Sequence, residues 1–305
     1  MDAHLDPTKR HDFVYFFDAK DSNPNGDPDA GNMPRVDPET MQGLVTDVCI
    51  KRKIRSWIAL KKEYERLYDI FIRLDKALNE KIEESEDGAG LDDDLDPPQE
   101  ERARRRWMCE QYFDVRTFGA VMSTGSDNSG IGRVTGPMQL TISRTEDPVT
   151  ITDLSITRQA ATKKDDFKNK GSTMGRKPAV LYGLYRGHGF YNPTQAEETG
   201  FGQKDKDLED DLDLFWQALA KAFWHDKSAL RNQVNMQQVY VFSHEKKLGN
   251  APAHKLFGCI EPRLDKAAME DDGFDVPRKF AHYTLPDADE IETPDGVEVT
   301  SLIDW

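Results

Sequence analysis

Residues 21–32, DSNPNGDPDAGN, place Asp21, Asn23, Asn25 and Gly26 at the spacing of a calcium loop of the D-x-[DN]-x-[DN]-G type. Calcium held in this way needs a bidentate glutamate at the twelfth position and a helix on each side. The twelfth position here is Asn32, and the preceding DFVYFFDA is an aromatic, β-branched run that favours a buried strand. The pattern predicts a turn-rich loop rather than a metal cage, because Asn, Asp, Pro and Gly all suit turns. Asp18, Asp21, Asp27, Asp29 and Asp37 are the carboxylates that a metal-dependent nuclease would draw on. No second carboxylate cluster partners them, and His188, His225, His244 and His254 are scattered, so no nucleophile, base and orienting acid can be joined. The glycine-rich GSDNSGIGRVTG lacks the Gly-Lys-Ser/Thr of a phosphate-binding loop. No catalytic residue, metal ligand or cofactor is assigned.

Cations are the more telling residues. Lys51, Arg52, Lys53 and Arg55 fall within five positions and make a strong local positive field. Asp47, Lys51 and Arg55 follow at i, i+4 and i+8, opposite an apolar stripe of Ile50, Ile54, Trp57 and Ile58. An ordinary solvated helix face with an Asp47–Lys51 pair accounts for the same spacing. Residues 155–178 add seven bases, Arg158, Lys163, Lys164, Lys168, Lys170, Arg176 and Lys177, against Asp165 and Asp166. Few residues there could join a core, so the segment is expected to project as an arm suited to a sugar-phosphate backbone. Met174 is an apolar side chain in that polar arm, fit to wedge beside a base or to pack within a hairpin. Flexible backbone beside Arg133 could approach a phosphate closely.

The overall charge of −15 at first argues against nucleic acid. Its distribution reverses that view. Residues 83–101, 205–213 and 261–305 together carry −24, which leaves +9 for the rest of the chain. The 305 residues, 37% hydrophobic, can bury a sizeable core. No apolar run reaches membrane-spanning length, the first residues are polar, and the three cysteines (Cys49, Cys109, Cys259) form no CxxC. A reducing cytoplasm and no membrane partner are expected.

The elements that must position these cations follow from periodicity. A strand is predicted at 12–19, and a helix begins near Thr46 or Asp47. A charged segment over 61–106 contains the acidic 83–101, low in apolar residues and expected to be mobile. CEQYFDVRTFGAVMST reads as a strand, and Met138, Leu140 and Ile142 alternate as in another. AVLYGLYRGHGFY and QVYVFSHE read as strands, with an amphipathic helix at 207–226 between them. The acidic residues from 262 to 305 give weak structural signals. Stripped of insertions, the order is β-α-β-β-α-β, a ferredoxin-like arrangement in the α+β class. It forms one domain over 1–305, with insertions at about 61–111 and an arm at about 155–178. That arrangement alone does not give a function.

FDAKDSNPNGDPDAGNMPRVDPETMQGLVTDVCIKRKIR closely resembles the start of the backbone subunit of type I-C CRISPR Cascade complexes, members of the repeat-associated (RAMP) superfamily. YFDVRTFGAVMST, VTGPMQLTISRTEDPV, SITRQA, TMGRK, YGLYRGHGF and LGNAPAHKLF resemble it as well, while 83–101 and the residues after about 262 resemble it least. The resemblance implies a modified RNA-recognition fold with a projecting hairpin thumb and several copies stacked along a guide crRNA. It implies no catalysis in this subunit. Target DNA would be reached through the guide, alongside the guide-end-capping RAMP subunit and the large subunit of Cascade. It makes Lys51, Arg52 and Arg55 guide-backbone contacts, and Arg158, Met174, Arg176 and Lys177 candidates for a kink in the guide. Asn23, Asn25 and Arg35 would lie in a loop beside the RNA, with Arg133 as a further RNA-facing residue. The competing reading is a metal-dependent endoribonuclease of the same superfamily, built on the Asp-rich loop 18–37.

Overall fold

A computed structural model describes residues 2–91, 95–123, 130–158, 173–203 and 210–303. The aromatic run folds as β1 (Arg10–Ser22). Its Phe13, Tyr15, Phe17 and Ala19 belong to one hydrophobic core and its Val14 and Phe16 to another. A strand apolar on both faces must sit inside a sheet covered on both sides, and β1 does. The short pair β2 (Gly26–Asp27) and β3 (Met33–Pro34) shapes the opening loop. β4 (Gln42–Val45) then leads into α1 (Asp47–Lys62). Thr46 caps α1 by accepting a hydrogen bond from the Cys49 amide. Ile50, Ile54 and Ile58 are fully buried, so the apolar stripe is the packing face.

The charged segment that follows is not without structure. α2 (Leu78–Gly88) and most of α3 (Pro97–Gln111) lie within it and take in parts of the acidic 83–101. They close a third cluster through Ile82, Met108 and Cys109. Low apolar content misleads here because each helix buries only a narrow stripe. The buried Lys81 donates to the carbonyls of Ile70 and Phe71. Arg104 likewise donates to Ser85 and Ile82.

The strand predicted through CEQYFDVRTFGAVMST divides instead among the end of α3, α4 (Phe113–Phe118) and β5 (Gly119–Met122). Its alternation of apolar and polar residues is not an alternation of inside and outside, because Asp114 and Arg116 are buried with charged partners. β6 (Gly132–Thr135) pairs with β5. β7 (Met138–Leu140) and β8 (Ser143–Pro148) follow. Ile142 falls between them and is exposed, while Thr141 Oγ1 accepts the His188 amide where the ladder breaks.

β9 (Ile151–Arg158) and β10 (Thr173–Tyr191) form a long antiparallel hairpin. Residues 159–172, which carry Lys163, Lys164, Lys168 and Lys170 of the predicted arm, lie outside the described residues. Gly187 and Gly189 of β10 face Tyr15 and Phe13 across the ladder. A Cβ on Gly189 would lie 1.9 Å from Phe13 Cζ, and one on Gly187 would lie 2.2 Å from Tyr15 Cζ. The glycines of RGHGF therefore make room for the rings of β1.

α5 (Pro193–Thr199) precedes α6 (Asp211–Ala220), which is shorter than the helix predicted at 207–226. β11 (Val234–His244) is the expected late strand. α7 (Ala253–Gly258) follows, and the residues from 262 onward, whose structural signals are weak in sequence, contribute β12 (Arg263–Leu264), α8 (Lys266–Asp271), β13 (Tyr283–Thr284) and β14 (Val297–Ser301). The central sheet runs β14-β11-β1-β10-β8-β4, with β7 and β9 also on β10, and its pairings are antiparallel. α1 and α6 cover one face. The chain from 251 to 297, through Leu256, Tyr283 and Ile291, covers the other. The protein is thus α+β, built on an antiparallel sheet.

Candidate nucleic-acid interface

The opening loop, the start of α1 and the β9–β10 hairpin meet at one end of the central sheet, whereas Arg133 sits on the separate β5–β6 pair. β1 ends at Ser22, paired with Val180 of β10, and the opening loop leaves there. Asn25 Oδ1 accepts from both the amide (3.0 Å) and the hydroxyl (3.1 Å) of Thr46, so the loop is tied to the cap of α1. Beyond Val180, β10 pairs only with β9 among the described residues, and the hairpin runs past the sheet edge at this same end. The segment 230–233 lies alongside, because Leu230 and Gln233 carbonyls accept from the Asn23 and Lys20 amides.

Within the loop, Asn23 is buried and its side chain donates to the Asn32 carbonyl at 2.7 Å. Asn32 sits in the left-handed region, as do Gly31 and Asp21, which makes the stretch a turn-shaped loop. Gly26 leaves room for the Asn32 side chain, since a Cβ there would lie 2.1 Å from Asn32 Oδ1. Arg35 pairs with Asp27 at 3.1 Å, bracing the loop. The two asparagines and Arg35 thus have structural partners in this chain.

The α1 cations separate into two kinds. Arg52 is exposed. Lys51 pairs with Asp47 at 3.2 Å and lies over the Phe118 ring. Arg55 Nε donates to Asp114 at 2.7 Å. Asp114 is 1% exposed and also accepts the amides of Phe71 and Ile72, so Arg55 neutralises a buried carboxylate that organises the insertion. Lys53 is buried and ion-paired with Asp226, whose same oxygen lies 2.9 Å from Arg231 Nε. Sequence spacing could not join Lys53 to partners some 170 residues away.

In the backbone register of the hairpin, Arg176 opposes Ser155, Met174 opposes Thr157 and Thr173 opposes Arg158. Arg176 is 80% exposed and reaches Asp153 only at 3.5 Å. Lys177 is half-buried beside it. Arg133, exposed on β6, donates to its neighbour Thr135. The arrangement offers Arg52, Arg133 and Arg176 to solvent, leaves Lys177 half-buried, and holds Lys51, Lys53 and Arg55 to carboxylates.

A protein-family model for CRISPR-associated protein Cas7 matches residues 9–286. The chain belongs to the Cas7 family. The match runs well beyond residue 262, so the first half of the acidic tail lies within it. A CRISPR-associated protein Cas7 from Haloferax volcanii is 26% identical over 224 residues, 69% of this chain and 64% of that protein. This Cas7-family chain thus spans just under two-thirds of that relative's length. Among solved structures, a chain of a CRISPR RNA-guided surveillance complex in a pre-nicking state is 14% identical, with a TM-score of 0.49. That alignment covers 80% of this chain and 79% of the other. A second surveillance-complex chain gives 14% identity and a TM-score of 0.44 over 80% and 71% of the two chains.

In this Cas7-family chain the Asp-rich loop does not converge on one point. Asp27 binds Arg35 and the Asp29 amide. Asp37 binds Arg144 and holds the Glu39 amide. Asp18 is buried, and burial raises its carboxyl above the usual range. Among the described residues no three His, Cys, Asp or Glu side chains gather as metal ligands, and no helix is long and apolar enough to cross a membrane.

Proposed function

We propose that this Cas7-family chain is a non-catalytic backbone subunit of a type I-C Cascade, working in the cytoplasm and repeating along a guide crRNA. The observation that carries this reading is the departure of the opening loop, α1 and the β9–β10 hairpin from one end of the sheet, with Arg52 and Arg176 exposed on α1 and the hairpin and Lys177 half-buried beside Arg176. The order β11-β1-β10 with β7 or β8 next, α1 after β1 and α6 before β11, fits a modified ferredoxin-like palm, and the hairpin fits its thumb. Guide phosphates would meet the exposed cations, while neighbouring copies and the end-capping and large subunits would complete the filament. Target DNA would be reached through the presented bases. The sequence contains no RNP-type aromatic signature for reading bases, so binding along the spacer should be indifferent to sequence.

The test is binding of single-stranded RNAs of unrelated sequence, across a range of salt, by wild type and by Arg52→Ala/Arg176→Ala/Lys177→Ala. Affinity should fall similarly for every sequence, and the logarithmic salt slope should flatten by about 0.7 for each phosphate that is no longer neutralised. An unchanged slope, or a loss confined to one sequence, would overturn the reading.

A further inference from the structure

The segment 226–233 closes a ring with the opening loop and α1. Its Leu230 and Gln233 carbonyls accept from the Asn23 and Lys20 amides, where β1 gives way to the loop. The loop reaches α1 through Asn25, which accepts from Thr46, and through the Pro24 carbonyl, which accepts from Cys49 Sγ at 3.4 Å. α1 returns to the segment through Lys53, whose ammonium pairs with Asp226. The same Asp226 oxygen lies 2.9 Å from Arg231 Nε, so one carboxylate holds together two cations that repel each other. Arg52, next to Lys53 on α1, is exposed. Arg52, Lys53 and Arg231 all act electrostatically on the half-buried Cys49 thiol, which places the three cations around this one junction.

We propose that Asp226 is a positioning residue for guide binding: by drawing Lys53 and Arg231 together it keeps segment 226–233 and the opening loop in register with Arg52. The proposal rests on the guide-binding reading and deepens it, because Asp226 touches no phosphate and acts through Arg52. The core stripe of Ile50, Ile54 and Ile58 seats α1 on the sheet, but the loop and the segment beside Arg52 depend on the ring. Without the carboxylate, Lys53 and Arg231 push apart, and the carbonyls that hold Asn23 and Lys20 move with the segment. The consequence has an unusual sign. Removing a negative charge from a phosphate-binding surface ordinarily tightens binding and steepens its salt dependence. A positioning role makes the same change weaken binding and flatten the slope.

Full-length protein is titrated with a single-stranded oligouridylate over a range of salt, below the Tm of every variant. Asp226→Asn should lower affinity by about tenfold, the loss of one charge-assisted contact. Its logarithmic salt slope should flatten by about 0.7, because Arg52 no longer neutralises a phosphate. Asp226→Glu, which keeps the charge, should retain most of the affinity and the wild-type slope, and it carries the test if Asp226→Asn does not fold. In an Arg52→Ala background Asp226→Asn should cost little more, since both changes remove the same contact. Asp211→Asn is the matched control: it makes the same change of charge and breaks the buried Arg116–Asp211 pair, and its salt slope should stay at the wild-type value. Unchanged or tighter binding by Asp226→Asn would overturn the inference, as would weaker binding with an unchanged slope, a loss that adds in full to that of Arg52→Ala, or an Asp226→Glu variant that binds like Asp226→Asn. If Arg52→Ala/Arg176→Ala/Lys177→Ala leaves RNA binding untouched, the guide-binding reading itself fails. If that variant weakens binding and Asp226→Asn does not, only the positioning role fails.

Discussion

Two arginines one helical turn apart on α1 separate binding from stability. Arg55 neutralises Asp114, which is 1% exposed, whereas Arg52 is exposed. Removing one partner of a buried pair leaves an uncompensated charge. Arg55→Ala is therefore expected to lower unfolding free energy in urea by about 3 kcal/mol. Arg52→Ala should leave it within about 0.5 kcal/mol and weaken RNA binding instead. Equal stabilities for the two variants would contradict this assignment. His11 supplies a pH dependence. It is fully buried, accepts at Nδ1 from Ser243 or donates to it as its tautomer requires, and reaches the Asp6 carbonyl through Nε2. Burial pushes its pKa down to about 4. A depressed histidine pKa means that the unfolded chain binds the proton more readily. Stability is then fully present above the unfolded value and declines as pH falls from about 6.5 toward 4. Between pH 7 and 5 wild type should lose about 2 kcal/mol more than His11→Gln. Parallel acid titrations of stability for the two proteins would sink the idea.

At the scale of elements, the hairpin and the insertion make opposite demands. β9 and β10 pair from Ile151/Val180 outward, and Leu154 and Ile156 stay exposed on the part beyond the sheet. That part contributes nothing to the described cores, so replacing 159–172 with a short Gly/Ser linker should leave Tm unchanged. Ordered assembly on the guide should disappear, as measured by particle sizing with RNA. Assemblies of wild-type length from the shortened protein would count against a thumb role. The acidic stretch is different. Its helical parts belong to α2 and α3, which bury Ile82 and Met108 in the third core cluster. Ser85, within 83–101, is itself buried and accepts from Arg104, so the stretch is in part a piece of the core.

Over the whole molecule, charge acts with two signs. A net charge of −15 repels itself, and salt screens that repulsion over a Debye length of about 10 Å at 0.1 M. Raising salt should therefore raise the Tm of the RNA-free protein while it lowers affinity for RNA. A Tm that falls with salt would show that ion pairs such as Arg116–Asp211, 3.0 Å apart and buried, outweigh the exposed acids.

Local pattern was enough for β1, α1 with its Thr46 cap, β10 and β11, because aromatic runs and a 3.6-residue stripe report burial directly. It was enough, too, for the turn-shaped loop at 21–32, where Asp21, Gly31 and Asn32 take left-handed conformations. The quoted motifs carried the family. Pattern failed at Phe113–Phe118, in the acidic insertion and in the C-terminal covering of the sheet. In each of these, burial depends on partners distant in sequence. Which cations face solvent was likewise a tertiary decision. Lys53 and Arg55 look like Arg52 in sequence, and only the approach of Asp226 and Asp114 from elsewhere in the chain sets them apart. A charge's role is fixed by the field around it, and that field exists only once the chain has folded.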